Sequence, residues 1–414
     1  MTVQVTKLPS GLRVVSENRR TVETVAIGVW VDVGARFETE AENGLTHCLE
    51  HMLFKGTKTR SARDIAFEIE SVGGHMNAYT SRDNTTYYAR VLKEDLSLAV
   101  GLLGDLVINS VCDAKELERE KDVILQEIGQ TLDTPDDIVF DHLQSVAFKG
   151  QPIGRTILGE ADNVRSFNRD GLMSFLSAHY LASTVVISAV GNLDHEQLVA
   201  LAAEKFEKLP TGTRSKPEAA SYVGGTHLHE RELEQLHLTL GWPGVSFHDD
   251  NYYAHQLYST ILGGGMSSRL FQEVREHRGL AYSVYSFSSS HAETGLFGIY
   301  AGTSPSLLAD MVPVIKGEME ALVDGPTEQE FQIARAQLKA GLLMALEATT
   351  SRMEQLGRQV LLFDRVIPVQ EMIDNVDGVT VQDVGMVAAE FAAVKQPSVA
   401  AVGDTKIVAK VLTI

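Results

Sequence analysis

Cysteine is scarce in this sequence, and long apolar runs are missing from it. The 414 residues include two cysteines, Cys48 and Cys112, which leaves no disulfide framework and favours a reducing compartment. No stretch reaches the roughly 20 consecutive apolar residues that a membrane-spanning helix needs. The first residues pass straight into a strand pattern, without the basic segment and apolar core of a signal peptide. We therefore expect no membrane insertion and no secretion.

Positively charged residues are fewer than negatively charged ones. Lys and Arg total 36 against 55 Asp and Glu, so the formal net charge is −19 at pH 7. This surplus of carboxylates opposes binding to nucleic acids and to anionic membranes, and it favours basic ligands. The 44% of hydrophobic and 22% of charged residues are typical of a globular protein. A chain of 414 residues is too long for one ordinary core, and two domains of about 200 residues are expected.

The densest group of chemically active side chains is His47, Glu50 and His51, in a segment (43–54) whose pattern predicts a helix. In a helix the two histidines lie about 40° apart around the axis, and Glu50 lies about 60° to the other side of His47. Two imidazoles beside a carboxylate suit a catalytic zinc ion, which needs nitrogen ligands, an open position for water and a base. Two ordinary helical histidines and a solvated glutamate would give the same five-residue pattern.

A third ligand can come from the helix predicted at 113–131. Glu120 and Glu127 are seven residues apart and lie almost in line along the edge of its apolar stripe. Carboxylates in such positions are usually solvated or paired with cations, so this pattern alone does not select a ligand. Cys48 points about 100° away from His47, and we expect it to be a small packed residue.

The chain reads as two similar halves joined by a linker. In the first half, strands are predicted at 3–7, 12–16, 24–33, 75–80, 85–92 and 185–191, and further helices at 62–72, 94–109 and 136–147. In the second half, strands are predicted at 234–241, 281–288 and 295–301, and helices at 250–262 and 267–277. The predicted boundaries are 1–209 for the first domain, 210–225 for the linker and 226–414 for the second domain.

The second half does not repeat the histidine motif. The pair Phe67 and Phe271 gives an offset of 204 residues between the halves, whereas Gly56 and Gly264 give 208. At none of these offsets do the positions that match His47, Glu50 and His51 carry two histidines and a glutamate. If the chain is a duplication, only its first copy holds the metal motif.

Together these residues resemble the pitrilysin-type zinc metallopeptidases, the inverzincins, and within them the mitochondrial processing peptidase β subunit and its bacterial relatives. The resemblance rests on His47-x-x-Glu50-His51 followed by Glu127, on 74–80, on 263–271, and on Arg275 followed by 279–282. It implies an α+β fold of two homologous α/β-roll domains, each a mainly antiparallel sheet packed with helices. It also implies a zinc endopeptidase that cleaves unfolded or presequence-like peptides in a closed chamber.

The resemblance assigns His47, His51 and Glu127 as ligands of one Zn²⁺ per chain, with water in the fourth position. It makes Glu50 the general base and later the proton donor to the leaving amine. Glu120 would support the site from behind the ligands.

Substrate contacts are implied by the same resemblance. Asn77 and Ala78 would bind the main chain of an extended peptide by adding it as a strand. Arg275 and Tyr282 would hold the substrate and stabilise the developing oxyanion. An ordinary hairpin strand and an ordinary strand aromatic are the alternatives for these two segments.

Asp137 and Asp141, one helical turn apart, stand where the β subunit carries acidic residues that read an arginine near the cut. The related pattern has Glu before Asp, whereas this chain has Asp at both positions. The implied substrate is therefore an extended, basic peptide, although a solvated acidic face would give the same two residues.

The resemblance further implies a homodimer whose sites combine the zinc motif of one chain with Arg275 and Tyr282 of the other. The expected compartment is the bacterial cytoplasm, or the mitochondrial matrix for a processed mature chain. Two other functions share this fold: a non-catalytic core subunit, and one subunit of a heterodimeric processing peptidase.

Overall fold

The computed structural model describes residues 2–214 and 216–412, so Ser215 of the predicted linker and residues 1, 413 and 414 lie outside the described residues. The chain forms two compact units. Unit 1 combines Met1–Ile128, Thr156–Glu218 and Leu343–Ile367, and unit 2 combines Gly129–Arg155, Ala219–Leu342 and Pro368–Ile414.

Each unit contains one sheet. The strands of unit 1 are β1 (Val3–Lys7), β2 (Arg13–Asn18), β3 (Thr24–Val31), β4 (His75–Thr80), β5 (Thr85–Leu92) and β6 (Val185–Gly191). The strands of unit 2 are β7 (Thr226–Glu230), β8 (Leu236–Gly244), β9 (Ser283–Ser290), β10 (Gly295–Thr303) and β11 (Ser398–Gly403).

Helices make up most of the remaining chain. In the first half they are α1 (Leu45–Leu53), α2 (Ala62–Ser71), α3 (Leu96–Asn109), α4 (Ala114–Asp133), α5 (Pro135–Ala147), α6 (Ala161–Ser166), α7 (Arg169–His179) and α8 (His195–Lys205). In the second half they are α9 (Tyr252–Gly263), α10 (Leu308–Ala321), α11 (Glu328–Ala345), α12 (Thr349–Phe363), α13 (Val369–Gly378), α14 (Val381–Ala393) and α15 (Thr405–Val411). The segment Phe271–Glu276, predicted as part of a regular helix, is wound as a π-helix. None of the described helices is both long and apolar enough to cross a membrane.

The two sheets share one topology. The strand order is β1-β2-β6-β3-β5-β4 in unit 1 and β7-β11-β8-β10-β9 in unit 2. Without β1, both orders place the first strand beside the fifth, then the second, fourth and third. In both sheets the first and fifth strands pair in parallel, whereas the other neighbours pair antiparallel. The predicted α+β fold with two mainly antiparallel sheets is confirmed, and the shared topology supports a duplication.

Helices cover both faces of the sheet in unit 1. Successive side chains of a strand point to opposite faces, and the apolar side chains on each face of β3 are buried. Val25, Ile27 and Val29 of β3 belong to the larger core, together with residues of α1, α3 and α8. Ala26 and Trp30 point the other way and pack against Met353, Leu356 and Val360 of α12. The covering helix on this second face therefore comes from the second half of the sequence.

Unit 2 has the reciprocal arrangement. Leu238 and Leu240 of β8 face a core built with α9, α10 and α14. Ala400 and Val402 of β11 face a separate cluster that includes Val139 and other residues of α5. α5 belongs to the first half of the sequence, so the predicted contiguous domains differ from the two units at α5 and at α12. An amphipathic helix shows in its sequence that one face is buried, but not which sheet it covers.

Candidate metal centre

The start of α1 is fixed by a buried carboxyl group. Glu38 Oε2 accepts the N–H of Gly44 at 2.8 Å, and Glu38 Oε1 accepts the N–H of Thr46 at 2.7 Å. These N–H groups lie at the helix start, where no intrahelical acceptor is available to them. Gly44 adopts φ +96°, and a Cβ there would lie 2.7 Å from the carbonyl oxygen of Leu158, so glycine is required. Sequence reasoning missed Glu38, because nothing local marks its contact six to eight residues downstream.

α1 directs its apolar residues into the core and its histidines out of it. Leu45, Cys48, Leu49, Met52 and Leu53 are buried in the main cluster of unit 1. Burial raises the pKa of the Cys48 thiol to about 12, so the expectation of a small packed residue agrees with its environment. His47 and His51 stay on the opposite side of the helix.

The imidazoles of His47 and His51 converge on Glu127 of α4. Their ring centroids are 4.7 Å apart. Glu127 Oε2 lies 3.7 Å from Nε2 of His47 and 3.6 Å from Nε2 of His51. One ligand atom from each of the three residues lies within 4.8 Å of the others. Among the described residues, no other set of three His, Cys, Asp or Glu side chains brings its ligand atoms this close together.

Glu120, two helical turns before Glu127 on α4, orients His51. Its Oε2 lies 3.1 Å from Nδ1 of His51, and its Oε1 lies 2.6 Å from Nζ of Lys55. A proton on Nδ1 that is donated to Glu120 leaves Nε2 of His51 as a lone-pair donor towards Glu127, the arrangement that carboxylates impose on metal-ligating histidines. Lys55 was not identified from the sequence, although it follows His51 by four residues.

The three residues fit a zinc ion. The separations of 3.6 and 3.7 Å exceed hydrogen-bond length, and they approach the roughly 3.4 Å between two ligands that each bind one tetrahedral Zn²⁺ at about 2.0–2.1 Å. Burial, together with neighbouring His51, lowers the pKa of His47 to about 4, so its imidazole is neutral near pH 7. Two nitrogens and one carboxylate oxygen also leave a fourth position open.

Glu50 projects from α1 towards β4. Its Oε2 accepts a hydrogen bond of 2.6 Å from the Thr80 hydroxyl. Burial raises the pKa of Glu50, and the Thr80 hydrogen bond opposes that rise. Sequence reasoning missed Thr80, although it is the last residue of the strand that was predicted to bind substrate.

β4 is an edge strand, as the predicted substrate contacts require. Among the described strands it pairs with β5 alone, and it stands at the end of the sheet. Met76, Ala78 and Thr80 are partly buried, whereas His75, Asn77 and Tyr79 are exposed. The N–H of Ala78 is bonded to Oδ1 of its neighbour Asn77 at 2.9 Å, so an added peptide strand would compete with this local contact.

Arg275 and Tyr282 are brought together in unit 2. The Arg275 guanidinium carbon lies 5.1 Å from the centroid of the Tyr282 ring and 4.8 Å from that of Phe271. Tyr282 is 73% exposed, which is unusual for an aromatic residue beside a strand.

Asp137 and Asp141 lie on α5, in unit 2. Asp137 is exposed and Asp141 is partly buried. They are one turn apart, with Asp137 in the first turn of the helix and Asp141 at its middle.

Comparisons with known proteins agree on one family. A family profile described as "Insulinase (Peptidase family M16)" matches residues 13–161, and one described as "Peptidase M16 inactive domain" matches residues 166–338. An uncharacterized zinc protease of Streptomyces coelicolor is 40% identical over 98% of this chain and 90% of its own. A probable mitochondrial-processing peptidase subunit beta of Arabidopsis thaliana is 38% identical over 97% of this chain and 78% of its own.

A solved structure from Pseudomonas fluorescens, titled as a peptidase M16 inactive domain, superposes with a TM-score of 0.91 over 98% of both chains. At 23% identity this likeness shows the fold alone. The curated relatives named above include a zinc protease and a processing-peptidase subunit. The chain belongs to peptidase family M16, the insulinase family, so the resemblance seen in the sequence is confirmed.

Proposed function

We propose that this protein is a zinc-dependent endopeptidase that hydrolyses unfolded, extended peptides. The observation that carries the proposal is the convergence of His47, His51 and Glu127 beside Glu50. These three ligands would hold one Zn²⁺ per chain. Zinc, when bound, lowers the pKa of its water towards about 7 and polarises the scissile carbonyl group.

Glu50 moves the protons in this proposal. Its carboxylate accepts a proton from the attacking water and delivers it to the nitrogen of the leaving amine. The Thr80 hydroxyl holds Oε2 of Glu50 in place. Glu120 and Lys55 act indirectly, because they fix the orientation of the His51 ring.

The substrate would bind as an additional strand along β4. Asn77 and Ala78 supply main-chain groups at the free edge, and such pairing gives affinity without demanding a particular sequence. Arg275 and Tyr282 would hold the peptide and stabilise negative charge on the carbonyl oxygen, since a guanidinium and a phenol are both hydrogen-bond donors.

Replacement of Glu50 tests the mechanism directly. Glu50→Gln should keep bound zinc and lose peptide cleavage by several orders of magnitude, because the proton carrier is removed and all three ligands remain. Zinc is measured by mass spectrometry of the metal, and cleavage with a fluorogenic peptide with and without chelator.

Glu127→Gln is the matched control, and it should lower the zinc content instead. A Glu50→Gln protein that cleaves peptides at a rate close to that of the wild type would contradict the proposed role. A wild-type protein that binds zinc and cleaves no peptide would favour a non-catalytic core subunit.

We also propose that Asp137 and Asp141 select basic peptides, supported by the net charge of −19. Asp141→Asn should reduce cleavage of a peptide with arginine near the cut by about tenfold, which is the loss of one charge pair of about 1.4 kcal/mol. Cleavage of the matched neutral peptide should change little. An equal loss on both peptides would show that Asp141 does not read the substrate.

A further inference from the structure

Three imidazoles form a separate cluster in unit 2. His142 lies on α5, and His227 and His229 lie two residues apart on β7. Alternate residues of a strand share a face, so both strand histidines point to the same side of the sheet, towards α5. All three side chains are partly exposed, so an ion can reach them from solvent.

The distance between nitrogens of two of these rings suits binding to one shared metal ion. Nε2 of His142 lies 3.2 Å from Nδ1 of His229. Two nitrogens that bind the same transition-metal ion at about 2.0–2.1 Å lie about 3.0–3.4 Å apart, depending on the coordination angle.

His227 stands next to this pair. Its ring stacks on that of His142 with centroids 3.9 Å apart and planes inclined by 18°. Its centroid is 6.5 Å from that of His229, so a nitrogen of His227 reaches the same point only after its side chain rotates.

The cluster is poorly explained as packing alone. Burial, together with the neighbouring imidazoles, lowers the pKa of His142 to about 4, so the His142 ring is neutral near neutral pH. Neutral imidazole is the form that ligates metals. A hydrogen bond between the two facing nitrogens of His142 and His229 uses one proton and one lone pair, whereas an ion would engage a lone pair of each nitrogen.

We propose that His142 and His229, joined by His227, form a second metal site, for a divalent transition-metal ion of the class that prefers imidazole, such as Ni²⁺, Cu²⁺ or Zn²⁺. This site is distinct from the centre at His47, His51 and Glu127, which lies in unit 1.

The bound ion would act as a clamp within unit 2. It would tie α5, which comes from the first half of the sequence, to β7, the edge strand that opens the second half. Elsewhere α5 packs on the sheet through apolar contacts of Val139, Leu143 and their neighbours with β10 and β11, and the Thr239 hydroxyl of β8 donates a hydrogen bond of 3.4 Å to the Val139 carbonyl oxygen. An ion that binds only the folded arrangement stabilises it by mass action.

The test counts metal ions on full-length, tag-free protein. Chelator-treated chain is supplied with Ni²⁺ and analysed by native mass spectrometry. The wild type should bind a second ion per chain. Glu127→Gln should lose the first ion and keep the second, whereas His229→Gln should lose the second and keep the first. The matched control, His248→Gln, replaces an exposed histidine of the same unit and should keep both.

A second measurement follows folding. In the Glu127→Gln background, Ni²⁺ should raise the unfolding midpoint, and adding His229→Gln should abolish this rise. His227→Gln should weaken binding of the second ion by about tenfold or more, because one of three ligands is lost. Two results would overturn the proposal. One is a His229→Gln protein that still binds the ion of the second site, and the other is a Glu127→Gln protein that binds no ion at that site. Unchanged affinity in His227→Gln would exclude His227 as a ligand.

Discussion

Glu38 holds the helix that carries the candidate ligands. Its two carboxyl oxygens accept different N–H groups at the start of α1, and its side chain is almost completely buried. Burial raises the pKa of Glu38 from 4.5 to about 7, against the opposing effect of these hydrogen bonds. The ligand geometry therefore depends on a residue that would not itself touch the metal.

Near pH 5, where the carboxyl group is protonated, Glu38→Gln should destabilise the protein by about 1–3 kcal/mol, because both carboxyl oxygens keep a lone pair for an N–H group whereas the NH₂ group of glutamine has none. The pKa of Glu38 is higher in the folded than in the unfolded chain, so its contribution to stability is complete below pH 4.5 and declines as the pH rises to about 7.

The difference between wild type and Glu38→Gln in the free energy of unfolding should therefore shrink between these pH values. Urea unfolding of the two metal-free proteins at about pH 5 and about pH 7.5 measures it. A difference that grows with pH would show that Glu38 is ionised in the folded protein.

Site residues that lie close together on one helix could be predicted from the sequence. His47, Glu50 and His51 follow one helical repeat, and Glu127 was found through the family resemblance. Thr80 and Lys55 were missed, because a hydroxyl at a strand end and a lysine past a helix end carry no pattern that separates them from ordinary surface residues. Their contacts, with Glu50 and Glu120, exist only once distant segments are folded together.

At the level of elements, α12 and β3 meet at one close contact. A Cβ added at Gly357 of α12 would lie 2.5 Å from the ring of Trp30, which is buried on β3. The small residue lets the helix lie directly against the indole. The Trp30 ring is rigid and closely packed, so it cannot move aside for an added methyl group as a flexible side chain could.

Gly357→Ala should therefore destabilise unit 1 by about 1–3 kcal/mol, despite the better helix propensity of alanine. Gly317→Ala is the control, since Gly317 is an exposed residue of α10 with nothing within 4 Å of its added Cβ. That change should be neutral or stabilise by up to about 1 kcal/mol. Thermal unfolding of both variants compares them, and equal midpoints would show that α12 tolerates the extra methyl group.

The first half of the fold was predicted closely because its strands alternate and its helices are amphipathic. The strands at 75–80, 85–92 and 185–191 match β4, β5 and β6 as predicted. β7 was missed because two histidines and two other polar residues surround its single leucine. β11 was missed because its short apolar run, Ser398–Gly403, has no period that distinguishes a strand from a helix.

Over the whole molecule, the two copies share a sheet topology but not a metal motif. α9 follows β8, as α1 follows the matching strand β3 in unit 1. It carries a single buried histidine, His255, whose ring nitrogens have no hydrogen-bond partner among the described residues. Burial lowers the pKa of His255 to about 4, so it remains a neutral core residue. In the proposed mechanism the first copy supplies the metal ligands and the second supplies Arg275 and Tyr282.

We propose that the protein works as a homodimer in which each site uses Glu50 of one chain and Tyr282 of its partner. This division suits a chain that carries both motifs, because a symmetric pair then builds two complete sites. Glu50→Gln and Tyr282→Phe proteins, each nearly inactive, are mixed and allowed to exchange subunits. About half of the dimers should be mixed, and each mixed dimer should hold one intact site, so roughly a quarter of all sites should recover activity.

Sites built within one chain would behave differently, because every site would keep one defect and no activity would return. Native mass spectrometry of differently tagged chains shows whether mixed dimers form. Each variant mixed with itself under the same conditions provides the baseline activity. Mixed dimers that form and stay inactive would reject the shared site, and a chain that remains monomeric while cleaving peptides would reject the dimer itself.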